Sequence, residues 1–403
     1  MFALALKNIR YYKGRSVTTF LLTFIAAYFF IVYVAFMNGA HSSMLKNALE
    51  VYTGSLQIYQ KKYRSEGGYD YLIEDTSALL TLLNPIQGLK AYSSRLETYG
   101  IAAYKENSSA IMLTGVDFLK ETQLSELKKA RVKGVYNSTG DCLYMGEDLA
   151  TKLHVDVGSS ISFIGSAVDY SFVAERFRVC GVFKTGMYDF DTQSAFMNRD
   201  YFDTIFFSQN ISTYIVAMAE DMKKNEHIAS QIAEKLPPDL KVYTWKELMK
   251  SMVQLMQMDS FFGYVSMALF FLVIFFVIMI YGFINVSSRI KELGILRSIG
   301  VSEHNISALL FYEMIILTLL ALICAVPLGA FTAYYFEVHP IVISGMNDMY
   351  RAYGVVSDEV PTLFDPFTIA WNTLLVFVLN LLSAIYPIAY VRSFTPVEAI
   401  RHV

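Results

Sequence analysis

The chain has 403 residues, 54% of them hydrophobic and 17% charged, with a mean hydropathy of +0.39 and a formal net charge of −3. This excludes a disordered chain, gives no basic balance that would attract nucleic acid, and describes a membrane protein with a sizeable aqueous part. Of three cysteines, Cys142 and Cys180 precede the membrane-embedded Cys324; a disulfide between the first two is permitted by compartment, but an odd count without framework spacing favours two buried free thiols.

Met1–Lys13 reads as a short amphipathic helix within a cytoplasmic segment 1–15. Phe2, Leu6, Ile9 and Tyr12 share one face at helical spacing, and Lys7, Arg10 and Lys13 share the other. Such a helix lies in a membrane interface, as an anchor or as a contact for a partner. Val17–Phe36, the heart of a first span over 17–38, is free of charge. It has the roughly 20 residues that a bilayer core requires. Its length, and the absence of a small-x-small site after it, argue against a cleaved signal peptide.

Residues 39–258 are of ordinary mixed polarity. Met37, Met44, Leu45, Ala48 and Val51 carry an apolar face out of the first span. Trp245, Leu248, Met249, Met252, Leu255 and Met256 lead into the second span at helical spacing. Two such stripes predict helices that pack together as a stalk. Between them, alternating or β-branched runs predict strands at Ser55–Tyr59, Gly88–Arg95, Ala110–Gly115, Ser159–Ile164, Arg176–Phe183 and Thr213–Ala217. Asp75–Leu83 and Lys223–Leu236 have helical spacing, the latter stopped by Pro237-Pro238. The expectation is an α+β domain of two lobes dividing near Asp117.

Three further charge-poor runs follow: Phe261–Ile284, Ile306–Phe336 and Phe367–Ile388, the last within a span over 367–390. A lipid-facing charge costs about 2.5–3.5 kcal/mol, which explains why Glu313 is the sole charge in the three. The fold class is therefore an α-helical membrane protein with four transmembrane helices and a large α+β extracytoplasmic domain inserted between helices one and two. Lys7, Arg10, Lys13 and Arg15 before the first span, Arg289, Lys291 and Arg297 between spans two and three, and Arg392 and Arg401 in the tail 391–403 place both termini in the cytoplasm. The short loop 337–366 carries Arg351 against Glu337, Asp348, Asp358, Glu359 and Asp365, and faces the other way with residues 39–258.

The signatures of catalysis are missing. There is no G-x-x-x-x-G-K-[ST], no H-E-x-x-H, no G-x-S-x-G and no paired metal-ligand cysteines, and His41, His154, His227, His304, His339 and His402 are scattered. No cofactor, metal or catalytic residue is expected in this chain. The strongest segment is Ile284–Gly300, inside the cytoplasmic loop 286–303. Ile290, Leu293, Leu296 and Ile299 fall on one helical face, Arg289, Lys291 and Arg297 fall elsewhere, and Gly300 ends the helix. A short helix held between two spans transmits force from a soluble protein, or lies on the membrane for its own sake.

In span three, Ala321, Ala325, Gly329 and Ala333 form a small-residue face for close helix packing, within the chain's own bundle or at a dimer seam. Glu313 lies two turns from the cytoplasmic end, where it snorkels or pairs with a cation such as Arg297.

Several strings give the chain a specific resemblance. Ala5-Leu-Lys-Asn-Ile-Arg10 precedes span one, and Tyr52-Thr-Gly-Ser-Leu-Gln-Ile-Tyr59 follows it. Leu113-Thr-Gly-Val-Asp117, Phe177–Asp191 with its Lys-Thr-Gly-Met-Tyr, Lys291–Gly300 and Pro396-Val-Glu-Ala-Ile-Arg401 complete the set. Over nearly its whole length the chain resembles an FtsX/MacB-type ABC transporter permease, and within that group the LolC/LolE lipoprotein-releasing branch.

The resemblance implies a non-catalytic half-transporter in a bacterial inner membrane, with its large domain periplasmic. Two permease chains, identical or paralogous, pair as a dimer. Two copies of a separate ABC ATPase subunit bring ATP and Mg and bind below, at a coupling segment comprising Arg289, Glu292, Leu293, Gly294, Leu296, Arg297 and Gly300. The cargo is a lipoprotein drawn from the outer leaflet, with membrane lipids as surroundings and a periplasmic lipoprotein chaperone as a possible recipient. On this reading Met44, Leu45, Met249, Met252, Met256, Phe261 and Phe262 form a gate that receives lipid tails between paired chains, or simply pack the stalk. The branch's chaperone-gripping loop has only a short counterpart here, a hairpin at Gly165–Glu175 with Tyr170, Phe172 and Phe177 alternating. Two relatives remain as alternatives: MacB-like efflux of a peptide, antibiotic or lipid with a periplasmic adaptor, and FtsX-like signalling to a cell-wall hydrolase.

Overall fold

The structure is a computed structural model that describes residues 1–136, 139–342 and 359–392. The chain divides into two compact units, one built from 1–42, 255–342 and 359 onward, the other from Ser43–Gln254.

Four helices of the chain are long and apolar enough to cross a membrane. They are Lys13–Ala48, Lys250–Ser287, Glu303–Val338 and Pro366–Arg392, called here the first to fourth long helices. The first and second have 36 and 38 residues. At 1.5 Å per residue each exceeds 50 Å, against a bilayer core of about 30 Å. Both therefore continue well past their apolar runs. They meet through Phe30 and Phe271, with ring centroids 4.3 Å apart. Gly263 also allows close approach: a Cβ there would lie 2.7 Å from Met37 Sδ. His41 Nε2 and Asp259 Oδ2, at 2.7 Å, join the two helices beyond the apolar runs. Thr23 donates to Asn380 Oδ1 at 3.1 Å and ties the first helix to the fourth. The small-residue face is internal to the chain. Ala321, Ala325, Gly329 and Ala333 are all buried, and a Cβ on Gly329 would meet Ile31 of the first helix at 3.0 Å.

The N-terminal helix, Phe2–Tyr11, packs one side against the third long helix. Ala5 is fully buried in a cluster with Leu309 and Ile316 of the third long helix, and Ile9 packs against it. Phe2 and Leu6, of the apolar face expected to meet the membrane, are exposed together with Leu4. The contact is made by the smallest residue, because a small side chain lets two helix backbones approach.

In the second unit a ten-stranded sheet runs β10-β1-β9-β2-β3-β8-β5-β7-β4, with β6 paired to β2 and β7. The strands are β1 (Leu56–Gln60), β2 (Leu89–Tyr104), β3 (Asn107–Val116), β4 (Arg131–Gly134), β5 (Cys142–Gly146), β6 (Ser160–Ser166), β7 (Phe172–Phe183), β8 (Ser194–Asn198), β9 (Tyr214–Ala219) and β10 (Leu240–Thr244). All six expected strands are present, several of them longer than expected. The helix over Thr76–Leu83 has Asp75 as its N-cap, and Asn225–Lys235 fills the second helical expectation.

The lobes do not divide near Asp117. They share β2, whose first half pairs with β9 and whose second half pairs with β3 and β6. One core gathers Leu56, Ile58, Leu79, Ile215 and Ile232; the other gathers Leu96, Leu113, Leu143, Phe163 and Phe177. Asp117 instead caps the helix Phe118–Leu124, accepting from the amides of Leu119 and Lys120. Cys142 and Cys180 are not free thiols but form a disulfide, with Cα atoms 5.4 Å apart. β5 and β7 run parallel with a register shift between Leu143↔Val179 and Tyr144↔Gly181. Cys180 is the residue left over at that bulge, which explains why spacing along the chain gave no sign of the pair.

Candidate functional site

The segment 286–303 is held rigidly. The second long helix ends at Ser287, and Arg289 stands at the N-cap position of a nine-residue helix, Ile290–Ser298, without a side-chain capping bond. The helix closes in a Schellman motif: the Val301 amide donates to Leu296 O and the Gly300 amide to Arg297 O, each at 3.1 Å. Gly300 has φ +97°, a conformation that suits glycine, and fulfils the expected stop. Leu296 and Val301 pack in one cluster with Val286, Leu293, Ile306 and Leu310, which completes the motif's usual apolar contact. Ser302 then caps the third long helix by accepting from the Asn305 amide.

Ile290, Leu293 and Gly294 face inward. Gly294, Arg297, Glu303, Ser307 and Arg392 border a small pocket beside the helix. Ile299, placed on the inner face by spacing, is 73% exposed, and Ile295 is 54% exposed. Lys291, Glu292 and Ser298 are also exposed, so the outward face is a pair of isoleucines amid polar groups. Arg297 pairs with Glu303.

Arg289 does not belong to that outward face. It is 4% exposed, and its Nη1 donates to Glu313 Oε2 at 2.9 Å. Glu313 is therefore paired with Arg289 rather than Arg297. Its second oxygen, Oε1, accepts from Asn8 Nδ2 at 2.7 Å. Tyr12 donates to Glu292 Oε1, and its ring lies 4.7 Å below the Arg289 guanidinium. The intramembrane acid signalled that a cation must lie near. Spacing could not choose between two arginines on one short loop, and nothing marked Asn8 as the other partner.

The methionine stripe is not one continuous helical face. The short helix Trp245–Leu248 ends at Met249, and the second long helix starts afresh at Lys250. Leu248 packs with Tyr59, Tyr214 and Tyr243 against the sheet, not along a stalk. Met44, Leu45, Met249, Met252 and Met256 are half-buried. Met258, Phe261 and Phe262 are exposed, the two rings by about 60%. The 165–175 hairpin is the short β6–β7 turn. Tyr99, Ile101, Ile164 and Phe172 are all exposed on these strands and on β2, a surface cluster of apolar side chains. Among the described residues no group of three or more His, Cys, Asp or Glu side chains could hold a metal. The tail motif Pro396–Arg401 lies outside the described residues.

Two family models match the chain: the MacB-like periplasmic core domain over residues 16–235 and the FtsX-like permease C-terminal domain over 264–396. No curated protein matches it. Among solved structures, the extracellular domain of the noncanonic ABC-type transporter YknZ from Gram-positive bacteria matches at 14% identity and a TM-score of 0.34, covering 47% of this chain and 99% of that one. The periplasmic region of MacB from Actinobacillus actinomycetemcomitans matches at 11% identity and a TM-score of 0.37, covering 52% of this chain and 97% of that one. With one model spanning the first long helix and the inserted domain, and the other the remaining long helices and the segment between them, the chain belongs to the FtsX/MacB-type ABC transporter permeases, generally non-catalytic subunits that work with an ABC ATPase.

Proposed function

We propose that this permease couples ATP hydrolysis by a separate subunit to the extraction of lipoproteins from the outer leaflet of a bacterial inner membrane. The observation that carries the reading is the capped helix Ile290–Ser298, fixed behind by Ile290, Leu293 and Gly294 and presenting Ile295 and Ile299 outward. In this reading two ATPase copies, with their ATP and Mg, receive that face on the cytoplasmic side. Glu292 borders the contact, while Arg289, Leu293, Leu296, Arg297 and Gly300 set the helix in place. Two exposed isoleucines beside charged groups are suited to a small socket with a polar rim. Closing of the ATPases pushes the helix, and the long helices on either side carry the movement to the inserted domain.

The cargo assignment rests on side-chain chemistry. Met258, Phe261 and Phe262 are exposed where the second long helix enters its apolar run, and thioethers and rings adapt to acyl chains. A paired permease chain, identical or paralogous, supplies the facing wall of such a gate. A lipoprotein chaperone would meet the exposed apolar strands Tyr99–Ile101 and Ile164–Phe172.

The test is gentle purification of the tagged full chain from its native membrane after crosslinking. An ATPase, a second permease and a trapped triacylated lipoprotein support the reading. An ATPase with a periplasmic adaptor moves the assignment to efflux, an ATPase with a hydrolase activator moves it to signalling, and no ATPase overturns the coupling.

A further inference from the structure

By its sequence the N-terminal helix reads as a membrane anchor or a contact for a partner. Anchoring requires only its outward side, where Phe2, Leu4 and Leu6 are exposed beside Lys7 and Arg10. Its inward side does something else. Asn8 reaches one oxygen of Glu313, while Arg289, at the N-cap position of the short helix, takes the other. One turn on, Tyr12 bonds Glu292 of that short helix and lies under Arg289. Three segments distant in sequence thus converge on one buried acid and the cation beside it.

The cluster is also unfinished. Arg289 Nε, on a side chain almost wholly buried, has no hydrogen-bond partner, and Glu292 Oε2 stands 3.6 Å from it. Asn285 Oδ1 is likewise unpartnered. Both residues line a small pocket with Asn8, Tyr12, Glu313 and Ser383. A saturated network would hold one geometry. Arg289 holds Glu313 through Nη1, and its Nε can close on Glu292 as the short helix shifts.

We infer that the N-terminal helix is a positioning element of the coupling device. Through Asn8 and Tyr12 it brackets the Arg289–Glu313 pair, so that a push on Ile290–Ser298 reaches the first and third long helices together. This rests on the reading that an ATPase meets the 286–303 segment.

The test uses the full chain with its co-purified ATPase in lipid nanodiscs. Asn8→Leu removes the amide at nearly constant volume. Tyr12→Phe keeps the ring over Arg289 and removes only the hydroxyl. Asn8→Gln keeps an amide donor. Asn8→Leu should leave ATPase retention within twofold and lower permease-dependent stimulation of hydrolysis at least fivefold. Tyr12→Phe should lower it at least threefold, and Asn8→Gln should restore at least half.

In a Cys324→Ala background, thiol crosslinking between Ala5→Cys and Leu309→Cys should fall at least fivefold on adding Asn8→Leu. That readout is independent of any ATPase. Stimulation within twofold of the parent in both Asn8→Leu and Tyr12→Phe overturns the proposal. Unchanged crosslinking overturns the docking on which it stands. An ATPase that fails to accompany the unaltered chain is a separate result, seen before any variant is made; it overturns the parent reading and this inference with it.

Discussion

Glu97 accepts from the hydroxyls of Tyr52 and Tyr214 at 2.9 and 2.7 Å. Burial raises its carboxyl above the ordinary range by more than those hydroxyls and nearby Arg95 lower it. A raised value means that the folded protein binds this proton more tightly than the unfolded chain does. Stability through Glu97 is therefore gained as pH falls through the raised folded value, and is complete below the unfolded value of about 4.3. Glu97→Gln keeps an oxygen for both hydroxyls and cannot titrate. Its Tm should gain less than the parent's when the pH is lowered from 7 to 5, and parallel Tm curves would refute the assignment.

A second buried acid behaves differently. Glu121 and Arg95 are fully buried and ion-paired, and Arg95 also donates to Tyr52 O at 2.6 Å and stacks 3.9 Å from the Tyr52 ring. Glu121→Gln leaves a buried guanidinium without its counter-charge and should cost about 3 kcal/mol. Chemical denaturation of the full chain in detergent measures this; a loss under about 1 kcal/mol would mean that Tyr52 alone satisfies the cation.

Among the elements, the first long helix depends on one close approach. A Cβ on Gly39 would lie 2.2 Å from Pro361 O and 2.5 Å from Thr362 C, both backbone atoms that cannot rotate away. The neighbouring stretch is bonded in place by Leu363 N to Ala35 O and Thr362 Oγ1 to Ala333 O. Gly39→Ala should lower stability by about 1–3 kcal/mol, the range for overpacked sites. A Tm equal to the parent's would show that the 361–364 stretch can lift off. The strand pair β5–β7 has its own staple. Its loop of 38 residues predicts a loss of about 2–4 kcal/mol for the paired Cys142→Ser, Cys180→Ser variant. An unchanged unfolding midpoint with and without reductant would place the stability elsewhere.

Legibility at this scale followed side-chain type. β1, β6, β7 and β9 were readable as alternating or β-branched runs. β5 (Cys-Leu-Tyr-Met-Gly) and β8 (Ser-Ala-Phe-Met-Asn) escaped because neither holds a β-branched residue, whereas β9, equally buried, carries Ile215 and Val216. β4 is too short and exposed to carry a pattern, and β10 is wedged between Pro237-Pro238 and the Trp245 helix. β2 was expected to end at Arg95, where Glu97 and Gly100 interrupt the run, yet it continues to Tyr104 by switching partners. The Lys-Thr-Gly string, readable only as a motif, is explained by Asp191. That carboxylate accepts from the Thr185 amide, the Thr185 hydroxyl and the Gly186 amide.

At the scale of the whole molecule, the proposed movement is tested where His41 and Asp259 join the first and second long helices beyond their apolar runs. In a Cys324→Ala background, a short bifunctional thiol reagent bridging His41→Cys and Asp259→Cys should leave ATPase retention intact. It should also lower cargo release at least tenfold, with recovery when a cleavable reagent is cut. Release at the parent rate across the bridge would show that the helices work without separating.

Four long apolar runs and the large domain between the first two followed from the sequence alone. Burying charge in lipid is so costly that composition leaves few other arrangements. The stop at Gly300 was equally local, set by one backbone conformation. Which residues meet was decided only in three dimensions. The Arg289–Glu313–Asn8 cluster, the Cys142–Cys180 bond and the shared strand β2 each join positions that no periodicity relates. Their geometry depends on helix rotation, a register shift and a change of strand partner, which are settled by packing rather than by neighbours in the chain.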